Sequence, residues 1–158
     1  MIARIILDPY MKYEALLATT LSKNEMLFSA DNALESKSIG LGGFNVAVLL
    51  GYTGLISEAD LRFTILASLG ICFLVFSVVK LFPILFPKSY ATSSVSLRKH
   101  PEYNEKSEDD LYKQIISNVE NAFKANNLLL REKSRRFKEA LLATSVADAF
   151  ILISFIFN

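Results

Sequence analysis

Apolar positions are concentrated in three stretches of this chain. Ser38 to Ser57 carries no charged residue, Phe63 to Val79 reads FTILASLGICFLVFSVV and continues past Lys80 as LFPILFP, and Ala140 to Phe157 is interrupted only by Asp148. A helix crossing a bilayer needs about 20 mainly apolar residues, with about 17 as the lower limit. The second stretch meets this best, bracketed by Arg62 and Lys80. The first is weakened by its glycines and Asn45, and the third is short and holds an acid. All three are expected to be membrane spans. The competing reading makes some or all of them buried helices of a soluble bundle.

Between the stretches the pattern changes to helical amphipathicity. Over 10–37, Tyr13, Leu17, Leu21 and Phe28 fall near one stripe, with Leu16, Leu27 and Leu34 beside it. Asp8-Pro9 supplies a start, because proline is tolerated in a first helical turn. Residues 88–106 show no periodicity and many small polar side chains, which predicts a loop. Ser107 followed by Glu108, Asp109 and Asp110 reads as a capped helix start, with its acids at the positive end of the helix dipole. Leu111, Ile115, Val119, Ala122 and Leu129 continue at helical spacing, and Ile116 and Phe123 widen the face. No glycine or proline interrupts the chain from Glu102 to Asn158, so this helix is expected to run into the third stretch as a stalk. The predicted fold is all-α: a cytoplasmic amphipathic helix (1–37), a two-span hairpin (38–87), a cytoplasmic loop and long stalk helix (88–139), and a C-terminal hydrophobic helix (140–158).

Composition narrows the function. The chain has 158 residues, 52% of them of hydrophobic type, and a net charge of +1. That balance argues against nucleic acid as the main partner, since phosphate binding needs a clear basic excess. One cysteine (Cys72) and one histidine (His100) exclude a disulfide framework within the chain and a Cys- or His-based metal cage. The serines have no paired base, which leaves nucleophilic catalysis without support. No enzyme activity, metal or cofactor is expected. Charges spread through 1–37 do not fit a cleaved secretory signal. Lys88 to Glu139 holds eleven of the 17 Lys and Arg residues, whereas Glu58-Ala59-Asp60-Leu61 holds none. The positive-inside rule then puts 88–139 and the N-terminal arm in the cytoplasm and the acidic turn outside.

Four groups of residues are candidates for a specific role. Gly43, Ala47 and Gly51 are spaced four apart, a pattern that lets helix backbones approach closely in a membrane. They are the expected helix-packing contact of a homo-oligomer, the plain reading being that glycine is common in spans. Asp148 lies within the third stretch, where an acid is costly and faces protein, water or a partner. It is the pore candidate, against an acid held protonated between helices or lying in an interfacial helix. Lys133, Arg135 and Arg136, with Arg98 and Lys99, form a basic set suited to phosphate, either of a nucleotide or of lipid headgroups. Gly40-Leu-Gly-Gly43 lacks the Lys-Ser/Thr and flanking strand of a phosphate loop.

The order of parts resembles a family. ALESKSIGLGGFNVAVLLGY, the span ending in FPILFPK, and SEDDLYKQIISNVENAFKANNLLLREKSRRFKEALLATSVA are similar to the small bacterial membrane effectors of cyclic-nucleotide antiphage signalling, the Pycsar transmembrane effectors and SLATT-like proteins. In the former an Asp-x-Lys-Ala-like step opens the first span. Here Glu35-Ser36-Lys37-Ser38 stands in its place, so Glu35 and Lys37 are the motif matches. The resemblance implies a multi-pass bacterial inner-membrane protein in an antiviral defence system. It would respond to a cyclic mononucleotide made by a partner cyclase and then disrupt the membrane, with lipid and further copies of itself as its other partners. A non-conducting scaffold or accessory subunit, binding a partner through its cytoplasmic helices, is the competing class.

Overall fold

The computed structural model describes residues 9–55, 61–86, 90–91 and 107–156. Every regular element among them is an α-helix: α1 (Pro9–Leu55), α2 (Leu61–Leu85) and α3 (Glu108–Ile156). α1 is one helix of 47 residues, which carries the amphipathic segment predicted to end at 37 into the apolar stretch beginning at 38 without a break. Ser38, which could have capped a new helix, instead returns its hydroxyl to the Leu34 carbonyl at 2.8 Å. This back-bond satisfies the side chain inside the helix. The glycines of α1 do not break it either, and none of the described residues has a positive φ. At α3 the expected cap is present. The Asp110 amide donates to Ser107 Oγ at 3.3 Å, and the Ser107 hydroxyl donates to the Asp110 carboxylate at 2.7 Å.

All three helices bury side chains at a spacing of 3.5 residues. In α2 the buried positions are Phe63, Ala67, Gly70, Leu74, Ser77, Leu81 and Ile84, alternating steps of four and three. In α1 the line passes through Thr20, Leu27, Asp31, Ser38, Asn45 and Tyr52; in α3 it passes through Val119, Asn126, Lys133, Ala140, Ala147 and Ser154. An α-helix has 3.6 residues per turn, so a strict seven-residue repeat is the pattern of left-handed supercoiled packing. The predicted stripe through Leu21 and Phe28 was displaced by this repeat, and both side chains are exposed. The inward positions nearby are Thr20 and Leu27. Leu27 lies beside the predicted stripe, and packing against a partner makes its side the inward one.

The chain divides into two compact units: 1–30 with 89–130, and 31–88 with 131–158. In the first, α1 and α3 pair through buried Thr20, Leu27, Ile116, Val119 and Ala122. Tyr13 stacks on Tyr112 with ring centroids 5.9 Å apart, and the Asn126 side-chain amide makes two bonds to the Ala91 backbone at 2.9 and 3.1 Å. In the second unit α1, α2 and α3 form a three-helix bundle. Asn45 meets Ser77 and Thr144, while Tyr52 meets Phe63 and Ile151. α1 and α3 therefore run parallel, with α2 antiparallel to both.

The interior of the second unit mixes apolar side chains, Phe63, Leu74, Leu81, Ile84 and Ile151, with small and polar ones, and many of its large apolar side chains face outward. Its interior holds Asp31, Ser38, Asn45, Ser77, Thr144, Ser154, Gly70 and several alanines, while Phe44, Leu50, Ile65, Phe76, Phe82, Leu142, Leu152 and Phe155 are exposed. Soluble domains bury their large apolar side chains; lipid removes that bias and leaves close backbone packing and interhelical hydrogen bonds to hold helices together. α2 and α3 are each long and apolar enough to cross a membrane. The 25 residues of α2 extend about 37 Å, against about 30 Å for a hydrocarbon core. Of their most apolar windows only 28% and 33% is buried, unlike the core helices of a soluble protein. These features are consistent with a membrane protein.

Candidate functional site

Polar side chains are stacked along the interior of the second unit in layers. At one end Lys133, from α3, is 1% exposed. Its ammonium donates to both Asp31 oxygens at 2.9 and 3.0 Å and to Glu35 Oε1 at 2.9 Å. These bonds engage all three ammonium donors. This corrects the expected basic cluster, because Lys133 faces inward and is committed to carboxylates rather than offered to phosphate. The signal was available: Lys133 lies seven residues before Ala140, and Asp31 seven before Ser38, on lines that continue into the apolar stretches. Glu35, the motif match, is the second carboxylate of this triad, and Lys37 is exposed.

About three helical turns further along, Asn45, Ser77 and Thr144 close a network. Asn45 Nδ2 donates to Ser77 Oγ at 2.9 Å and to Thr144 Oγ1 at 3.0 Å, and its carbonyl oxygen lies 3.1 Å from Thr144 Oγ1. Both hydroxyls also reach the Ala140 carbonyl, at 2.9 and 3.1 Å. The arrangement can fix the register of three helices, since a one-residue slip would strand several buried polar atoms. It contains no base to activate a hydroxyl. Towards the far end the Tyr52 hydroxyl donates to the Ile151 carbonyl at 3.1 Å and lies 3.3 Å from Ser154 Oγ. Tyr52, Phe63 and Phe155 surround it with ring contacts.

Asp148 differs from every other acid in the unit that has been named. It is half-buried on the flank of the line through Thr144 and Ile151, and among the described residues it has no hydrogen bond or ion pair. Lys80 is not its partner, since it donates to Glu139 at 2.7 Å.

Gly43, Ala47 and Gly51 lie on the outward face of α1, and the space over both glycines is open. Among the described residues, a Cβ at either glycine would meet nothing within 4 Å. Sequence reasoning missed Gly70, which has the close-packing role inside the bundle. A Cβ there would sit 2.9 Å from the Ile151 side chain and 3.2 Å from the Ala147 carbonyl oxygen. Its signal was the 3.5-residue line through Phe63, Ala67 and Leu74. Of the remaining bases, Arg136 is held by Glu132 at 2.6 Å, whereas the Arg135 side chain is 73% exposed. Arg98, Lys99 and His100 lie outside the described residues, as does the predicted outer turn at 57–60.

In the first unit the Tyr13 hydroxyl donates to Asp109, which also accepts from Lys113. The bond from Lys113, then that from Tyr13, pulls the Asp109 carboxyl below its ordinary range. The Asp109 bond raises the phenol of Tyr13 and the ammonium of Lys113.

No protein-family model, no curated protein and no solved structure matches the chain. The likeness to antiphage effectors accordingly rests on the order of elements and on Glu35 and Lys37.

Proposed function

We propose that the chain is a multi-pass protein of the bacterial inner membrane that assembles with copies of itself and permeabilises the membrane when a nucleotide messenger reports infection. The large apolar side chains on the outside of the second unit, and the two helices long and apolar enough to span, support the membrane part of this reading. The observation that carries permeabilisation is Asp148, an acid on an apolar helix without a partner among the described residues. An acid in hydrocarbon needs a counter-charge, a proton or water, and a ring of copies would supply water and a cation path. The signalling part takes its support from the resemblance. In this reading Arg98, Lys99, Arg135 and Arg136 are the phosphate contacts, to messenger or headgroup, and Lys133 is not among them. Gly43, Ala47 and Gly51 are the contact between copies.

A second reading is favoured by the closed Asn45–Ser77–Thr144 network. It closes one layer of the bundle interior with satisfied polar groups, as a non-conducting scaffold requires. Cation flux through proteoliposomes, with cyclic mononucleotides added, separates the two. Wild type is expected to leak and Asp148→Asn to leak less while inserting equally. Equal flux from both proteins removes Asp148 from the path, and no flux from either, with protein inserted, favours the scaffold.

A further inference from the structure

A cleft of about 420 Å³ runs between α2 and α3 on the outside of the second unit. Phe73 and Phe76 form one wall, Leu142 and Val146 the other, and Ala143 the floor. Lys80 and Glu139 close one end. Because α2 and α3 are antiparallel, these two residues come from the ends of two different apolar stretches and lie at one level. The Lys80 ammonium sits 2.7 Å from Glu139 Oε2 and 5.1 Å from the centre of the Phe76 ring, so its stem lies along the wall. One turn before Glu139, Arg135 Nε is 3.8 Å from the other Glu139 oxygen, and the rest of its fork is open. Two cations therefore share one carboxylate at the mouth of an apolar cleft.

We propose that this cleft holds one anionic phospholipid, with an acyl chain between Phe73, Phe76, Leu142 and Val146 and the phosphate on Arg135 and Lys80. The inference rests on the membrane reading above. An apolar cleft on the outside of spanning helices is filled by lipid tails, and the charge at its mouth selects the headgroup. The net charge of Lys80, Arg135 and Glu139 is positive, which favours an anionic lipid by about fivefold per unit charge near the surface. Arg135 offers a phosphate paired donors in one plane. Its exposure, which left it without a role in the bundle, is what this site requires.

The chain has no tryptophan, so single reporters can be introduced. Leu142→Trp places one in the cleft, and Phe44→Trp places one on the exposed face of α1, next to the Asn45 layer and away from the cleft. Each is reconstituted in phosphatidylcholine vesicles containing brominated phosphatidylglycerol or brominated phosphatidylcholine, and quenching is measured. The expected result is about a fivefold preference for the anionic lipid at Leu142→Trp, none at Phe44→Trp, and loss of the preference in Arg135→Gln and in Lys80→Gln/Arg135→Gln. Arg135 is exposed, so its replacement leaves the bundle intact. Equal quenching at both reporters by both lipids overturns the site while leaving the membrane reading in place. A preference that survives both charge variants overturns the headgroup assignment. Absence of quenching at either reporter by either lipid places the protein outside the bilayer and overturns the membrane reading together with the site.

Discussion

Replacing Lys133 by methionine would leave Asp31, almost fully buried, without the ammonium that neutralises it. Breaking a buried ion pair from one side costs about 3–5 kcal/mol. The unfolding midpoint of Lys133→Met in detergent should fall accordingly. Adding Asp31→Leu should recover most of the loss, because Glu35 is partly exposed and keeps its hydration. Failure of the double variant to recover would mean that the triad does more than balance charge. Gly70 is a second residue whose role depends on distance. Gly70→Val forces atoms against the Ala147 carbonyl and should cost about 1–3 kcal/mol of overpacking, measured in the same unfolding assay. Gly40→Val, over open space and outside the proposed contact between copies, should leave that midpoint unchanged. Lys133 is close to Arg135 and Arg136 in sequence, but closeness in sequence is not closeness on a surface. On a helix, residues two apart point in widely different directions, and here one faces the core while Arg135 faces out.

Among the elements, α3 was the most legible: its cap at Ser107, its acidic first turn and its length all followed from residues that favour helix and from the absence of glycine and proline. α1 was less so. Its glycines and polar Ser38 mimic an interruption, and only packing of Asp31, Ser38, Asn45 and Tyr52 against two other helices makes the continuous helix the better state. The pairing of α1 with α3 in the first unit predicts a pH dependence. The lowered carboxyl of Asp109 contributes stability above the ordinary aspartate range, near pH 3.9, and that contribution is lost as pH falls through its lower folded value. Tyr13 and Lys113, both raised, contribute below about pH 10 and lose their contribution as pH rises through their higher folded values. The Tyr13–Asp109 contact should therefore be firmest between about pH 4 and 10. Phenolate absorbance should show Tyr13 ionising later than in Asp109→Asn, and identical titrations would remove the contact.

For the whole molecule, the open glycine face of α1 is where copies are expected to meet. Gly43→Leu/Gly51→Leu should lower the subunit number seen by crosslinking in membranes, while the fold of each bundle persists, because a side chain at either glycine starts in open space among the described residues. An unchanged subunit number would move the contact elsewhere. This prediction and Asp148→Asn address different steps, assembly and flux, so one can fail while the other holds.

The sequence by itself determined that the chain is helical and where its apolar stretches lie, because propensity, capping and hydropathy are local properties. It also contained the seven-residue repeat, which the mixture of polar and apolar residues on the inward line concealed. What only the tertiary structure decided was direction: that Lys133 points in and Arg135 out, that Gly70 rather than Gly43 receives a neighbouring helix, and that Asp148 lacks a partner among the described residues. Each of these depends on which of several faces a second helix covers. Helical periodicity leaves that choice nearly degenerate, and contact between residues as far apart as Asp31 and Lys133 resolves it.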